Sequence, residues 1–111
     1  MVLAILKTLY NKPMSDWSVY MLRCRNGALY TGISTDVPRR VREHIAGGDK
    51  AARYTRQFAP VRLVYDMMIG EMSLALKVER HIKRLPKRKK ELIVAESLSH
   101  QALFDLLKIS P

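Results

Sequence analysis

The stretch SVYMLRCRNGALYTG, residues 18–32, constrains the fold more than any other part of the chain. Asn26-Gly27 lies between two runs rich in β-branched and aromatic residues, the strongest short-range signal for a β-hairpin. The pattern predicts strands at about 17–24 and 28–33 joined by the turn RNG. Each strand carries a tyrosine, Tyr20 and Tyr30, where an aliphatic side chain would pack as well. How the two relate depends on the turn. If Asn26-Gly27 is the whole loop, Tyr20 opposes Ile33 and the tyrosines point to opposite faces of the sheet. If the loop is Arg25-Asn26-Gly27, a type I turn with a left-handed Gly27 and a bulge, Tyr20, Leu22, Tyr30 and Gly32 share one face. Asn-Gly suits both geometries, so on pattern alone the tyrosines read first as ordinary strand aromatics and second as a functional pair.

Downstream, STDVPRRVREHIAGG predicts a helix. Thr35 or Asp36 is its N-cap, Pro38 lies in its first turn, Val37, Val41 and Ile45 form an apolar stripe, and Gly47-Gly48 ends it. DKAARYTRQFAP reads as a basic loop or broken helix and VRLVYDMMI as a third strand. EMSLALKVERHIKRL places Leu74, Val78, Ile82 and Leu85 at helical spacing before Pro86, and KRKKELIVAE and SHQALFDLLK read as two shorter helices. The order β-β-α-β-α-α-α predicts an α+β fold, a three-stranded sheet with helices packed on it. Residues 1–15 read as an N-terminal extension, either a short helix or sequence upstream of a start at Met14. Its apolar run is too short for a signal peptide or a membrane span. Residues 16–95 form the patterned domain, and 96–111 a C-terminal helix packed on it.

A chain of 111 residues supports one core, so recognition and chemistry share one compact unit. Its 20 Lys and Arg against 10 Asp and Glu give a net charge of +10, while 48% hydrophobic residues argue for a folded domain, not a basic tail. The expected partner is a polyanion, nucleic acid before an anionic membrane surface, because clustered cations gain affinity by releasing counterions from phosphates. The single cysteine, Cys24, excludes an intrachain disulfide and points to a reducing, cytoplasmic compartment; in a strand it reads as a small buried hydrophobe. No membrane segment and no obligate protein partner is expected.

Three further residues stand out. Arg40 and His44 lie four apart, on one helical face beside the stripe that meets the sheet, although either also reads as an ordinary surface residue. Between residues 77 and 90 there are eight Lys or Arg and one acid, Glu79. Glu79 reads either as a salt-bridge partner of Arg80 or Lys83, or as a ligand for one Mg²⁺, which takes one or two carboxylates plus water and substrate phosphate.

Together these residues resemble the GIY-YIG nuclease superfamily. The carriers are VY at 19–20, YTG at 30–32, Arg40, His44, and Glu79 on a later helix. The strings LYTGISTDVPRRVREH and SLALKVERHIKRLPKRKKELI are similar to its small stand-alone bacterial branch, the YhbQ-like proteins. Ser18 and Thr31 depart from the family's motif letters, while both tyrosines and Gly32 are kept. The resemblance implies a GIY-YIG-like domain with a three-stranded antiparallel sheet. It also implies metal-dependent hydrolysis of DNA phosphodiesters using one Mg²⁺ or Mn²⁺, and a link to DNA repair. It casts Tyr20 as general base, Tyr30 as its partner in placing water, Arg40 on the scissile phosphate, Glu79 as metal ligand, and His44 as an aid to phosphate orientation or proton transfer. Gly27 and Gly32 are expected to be structural. Arg53, Arg56, Lys83, Lys87, Arg88, Lys89 and Lys90 are candidate backbone contacts, with Tyr54 as a base-stacking or packing tyrosine. DNA is expected before RNA, with low sequence specificity and a preference for structure. Two rivals remain: a non-catalytic nucleic-acid binder of the same fold, and a partner-binding module docking through Leu103, Leu106 and Leu107.

Overall fold

The computed structural model describes residues 16–48 and 50–110, the Tyr54 side chain excepted; the extension expected at residues 1–15 and the role expected of the Tyr54 side chain lie outside the described residues. Three strands, β1 (Trp17–Arg23), β2 (Leu29–Ser34) and β3 (Arg62–Gly70), form an antiparallel sheet in the order β2-β1-β3. Among the described residues five helices accompany them: α1 (Val37–Ala46), α2 (Arg53–Gln57), α3 (Met72–Arg84), α4 (Lys87–Glu96) and α5 (His100–Leu107).

The hairpin adopts the longer loop. The Gly27 amide donates to the Cys24 carbonyl and the Cys24 amide to the Ala28 carbonyl, both at 2.9 Å, with Gly27 at φ +84°. Asn26 Oδ1 accepts from the Ala28 amide at 3.1 Å, which steadies the turn from inside. The resulting register pairs Tyr20 with Gly32 and Leu22 with Tyr30, so the two tyrosines share a face. Against β3 the register slips between Met21, opposite Tyr65, and Leu22, opposite Leu63, leaving Val64 as the bulged residue.

As the central strand, β1 is covered on both sides, and Val19, Tyr20, Met21 and Leu22 are all buried. Strand alternation divides them between two cores. Val19 and Met21 pack with Tyr65, with Ala75, Val78 and Ile82 of α3, with Ile93 of α4, and with Leu103, Phe104 and Leu107 of α5. Tyr20, Leu22 and Cys24 pack on the other side with Val37, Val61, Tyr30, Val41 and Phe58. The first core consumes Leu103 and Leu107, so these leucines are not free to dock elsewhere. Tyr65 closes it by donating to the Leu98 carbonyl at 2.8 Å, tying the α4–α5 turn to the sheet.

Helix α1 starts at Asp36, whose carboxylate accepts from the Arg39 amide at 3.1 Å, and stops at a left-handed Gly47. Its buried stripe differs from the expected Val37–Val41–Ile45 row. Val37 and His44 are buried, Val41 is half-buried, and Ile45 is 59% exposed. The cause is chemical: both imidazole nitrogens of His44 find partners inside, so the stripe runs Val37–Val41–His44, and Ile45, about 100° around the axis from His44, is left outside it. Helix α3 ends at Leu85, extended as a residue before proline must be, and Pro86 caps α4. No helix among the described residues is long and apolar enough to cross a membrane.

Candidate active site

The face carrying Tyr20 and Tyr30 is glycine-free except where it must be open. A Cβ on Gly32 would stand 2.5 Å from Tyr20 Oη and 2.7 Å from Cζ, so the cross-strand partner of Tyr20 has no side chain and the phenol lies over bare backbone. Tyr30 sits diagonally beside it, with ring centroids 6.5 Å apart. The His44 ring completes the group at 6.0 Å from Tyr20 and 5.3 Å from Tyr30, the latter edge-on.

Hydrogen bonds order these rings. Thr55 Oγ1 donates to the Ala52 carbonyl at 2.8 Å, so toward His44 Nδ1, also at 2.8 Å, it can only accept. His44 therefore carries its proton on Nδ1 and leaves Nε2 as an acceptor, 3.0 Å from Tyr20 Oη. The chain runs in one direction, Tyr20 to His44 to Thr55 to the Ala52 carbonyl. Burial, assisted by the Arg40 charge, lowers the His44 pKa to about 4 and keeps the ring neutral. Burial also raises the Tyr20 phenol to about 12; Tyr30 adds to this while Arg40 pulls the other way through its charge and a hydrogen bond. Tyr30 is raised chiefly by burial, again opposed by Arg40.

Arg40 reaches this group from α1. Its Nη1 donates to Glu43 Oε1 at 3.0 Å and to the Lys50 carbonyl, which fixes the guanidinium beside Tyr20 while leaving the side chain 26% exposed. Glu79 arrives from α3 and its charge is felt by both tyrosines, tending to raise them. Its carboxylate pairs with Lys83 Nζ at 3.5 Å, so the salt-bridge reading and proximity to the tyrosines both hold. All five residues expected at a catalytic centre thus converge from β1, β2, α1 and α3.

The basic residues divide. Lys83 stands at the site through Glu79, and Arg53 and Arg56 are exposed on α2, the helix whose Thr55 faces inward. Lys87 lies instead at the hairpin tip, with Nζ 3.4 Å from the Gly27 carbonyl and 3.9 Å from Glu91. Arg88 is exposed, and Lys89 and Lys90 are half-buried. Sequence reasoning missed Thr55. Its one trace is an uncharged hydroxyl between cations in RYTRQ, too little to link it to a histidine 11 residues away.

Residues 16–91 match the GIY-YIG catalytic domain. The chain belongs to the GIY-YIG family. Within it, this protein is 43% identical to a UPF0213 protein of Citrobacter koseri over 95 residues, covering 86% of this chain and 93% of that one. It is 42% identical, at the same coverage, to the UPF0213 protein YhbQ of Salmonella typhimurium. The solution NMR structure of the UPF0213 protein BH0048 from Bacillus halodurans is 36% identical, spans 87% of this chain and all of its own, and superposes with a TM-score of 0.49. Family membership makes this a bacterial-type nuclease domain whose substrate is nucleic acid. Tyr20, Tyr30, Arg40, His44 and Glu79 stand at the positions that first suggested it.

Proposed function

We propose that this GIY-YIG protein is a metal-dependent nuclease that hydrolyses phosphodiester bonds, of DNA before RNA, with low sequence specificity. The observation that carries the reading is the directed chain from Tyr20 through His44 to Thr55, with the Arg40 guanidinium beside its phenolic end. A hydroxyl whose proton is committed to an imidazole has only lone pairs to offer a third group. Tyr20 is thereby suited to accept a hydrogen bond from water and, as its own proton moves toward His44 Nε2, to take the water's proton. The water oxygen then bonds to phosphorus, the bond to the leaving oxygen breaks, and that oxygen takes a proton from solvent while His44 and Tyr20 return to their starting states. Arg40 binds a non-bridging phosphoryl oxygen, where charge accumulates. Burial is the main cause of the lowered His44 pKa and Arg40 the lesser one, so the phosphate's negative charge offsets the Arg40 part and makes His44 a somewhat better proton acceptor.

Glu79 fits one hard cation. It is a single, largely buried carboxylate beside two phenols, and no group of three or more His, Cys, Asp or Glu among the described residues is placed to enclose a metal. Such a site suits Mg²⁺ or Mn²⁺ that keeps its waters and is completed by substrate phosphate. When bound, the ion supplies Lewis-acid stabilisation of the phosphoryl oxygens.

One observation favours a second division of labour. Tyr20 is only 1% exposed, whereas Tyr30 is half-buried and more open to a water, so the roles of the two tyrosines exchange if solvent access governs. The deciding experiment is cleavage of labelled single-stranded, nicked, branched and duplex DNAs and one RNA, with Mg²⁺ or EDTA. Wild type is compared with Tyr20→Phe, Tyr30→Phe and Glu79→Ala. Metal-dependent cutting that Glu79→Ala abolishes and one tyrosine change reduces 10²-fold or more supports the reading and names the base. Binding without cutting by wild type places the protein among non-catalytic members of the fold, and cleavage of one strict duplex sequence refutes low specificity.

A further inference from the structure

At the end of the sheet where β1 leaves and β3 enters, a shallow cavity of about 460 Å³ opens between the hairpin turn and the start of β3. Three arginines, Arg23, Arg25 and Arg62, line it, with Cys24 and Val61 at its base. None of them was among the expected nucleic-acid contacts, and the cavity lies three residues along β1 from Tyr20, about 10 Å at strand spacing.

The arrangement gathers more positive charge than its one carboxylate partner answers. Arg23 and Arg62 are directly opposed across the β1–β3 ladder, and like charges in that position destabilise a sheet. Only Arg23 is answered: Glu91 holds it through two contacts of 2.5 and 2.7 Å, and the Gly27 carbonyl accepts from it at 3.0 Å. Neither Arg25 nor Arg62 makes an ion pair among the described residues, and both are exposed. Lys87 adds a further cation at the Gly27 edge. The backbone holding these charges is fixed, since the Arg25 amide donates to the Phe58 carbonyl at 2.8 Å and Arg62 is paired in the sheet. An oxyanion seated between them would relieve the repulsion, and the planar guanidinium fork matches phosphate oxygens.

We propose that this cavity is a phosphate subsite, in which Arg25 and Arg62 grip a backbone phosphate of the nucleic-acid substrate away from the scissile bond while Arg23 is held as its wall. The proposal rests on the nuclease reading for its ligand, so its test is binding in EDTA, independent of cleavage. The variant is Arg25→Ala/Arg62→Ala, with Arg53→Ala/Arg56→Ala as comparison. Affinity for a labelled single-stranded and a branched oligonucleotide is measured from 50 to 200 mM salt. The cavity amides Arg25, Gly27 and Arg62 are followed by ¹H–¹⁵N NMR with the oligonucleotide and, separately, with inorganic phosphate.

Losing two contacts should weaken binding roughly tenfold at low salt and flatten the slope of log K against log salt by about 1.4 for single strands. The oligonucleotide should shift the cavity amides in the wild type. Unchanged affinity and slope overturn the proposal. Shifts with inorganic phosphate but none with the oligonucleotide also overturn it, leaving a free-phosphate site. If the wild type cleaves nothing yet the slope and shifts behave as expected, the nuclease reading fails and the subsite stands.

Discussion

Gly32 shows how much one absent methyl group decides. Its Cβ would overlap the Tyr20 hydroxyl end, so in Gly32→Ala the phenol has to leave its position over the strand and with it the bond to His44. Expected is a loss of cleavage of 10²-fold or more with a cooperative, lowered thermal transition, read from initial rates and melting curves. His44 makes a second prediction. Its folded pKa of about 4 lies below the ordinary value of 6.5, so between those pH values the folded state binds fewer protons than the unfolded one. Stability is therefore fully present above pH 6.5 and falls as pH drops through 4, by about 3 kcal/mol. Urea melts at pH 7 and 4 should show that loss in the wild type and a flatter profile in His44→Gln. At pH 7, Thr55→Val leaves the Nδ1 proton without its acceptor, costing about 1–3 kcal/mol, and Thr55→Ser recovers it.

At the scale of elements, Gly27 serves the hairpin register through its backbone conformation. Nothing lies within 4 Å of a Cβ built on Gly27, yet its φ of +84° penalises any L side chain. Gly27→Ala should cost about 1 kcal/mol in denaturant midpoint through backbone strain alone. The contrast with Gly32, where space and not φ is limiting, separates the two glycines that share one hairpin. The elements were legible because their signals are local. Asn-Gly marked the hairpin, Asp36 and Gly47 the ends of α1, Pro86 the break between α3 and α4. Where a local signal was overruled, in the stripe of α1, the reason was a partner from elsewhere: the hydroxyls of Tyr20 and Thr55 made a buried histidine cheaper than a buried isoleucine at the neighbouring position.

For the whole molecule, α5 is part of the main core. Leu103 is completely buried against β-strand and α3 side chains, and Leu103→Ala should destabilise by about 2–5 kcal/mol in equilibrium unfolding. The same closure commits Leu103 and Leu107 of the C-terminal helix to the core. The chain's net charge is +10, and the arginines on α2 and those around the hairpin end contribute exposed positive charge.

Residue order and spacing alone determined the three strands and the longer helices, the basic character and the identity of Tyr20, Tyr30, Arg40, His44 and Glu79 as candidates, because each rests on local geometry or on a motif. Tertiary structure decided the rest. Two turn types of equal local merit gave opposite faces to the tyrosines, and the sheet, with cores to fill on both sides, accepted one. Thr55, Ala52 and the facing arginines 23 and 62 acquired meaning only when segments distant in sequence met, since hydrogen-bond direction and charge repulsion depend on distances that sequence spacing does not contain.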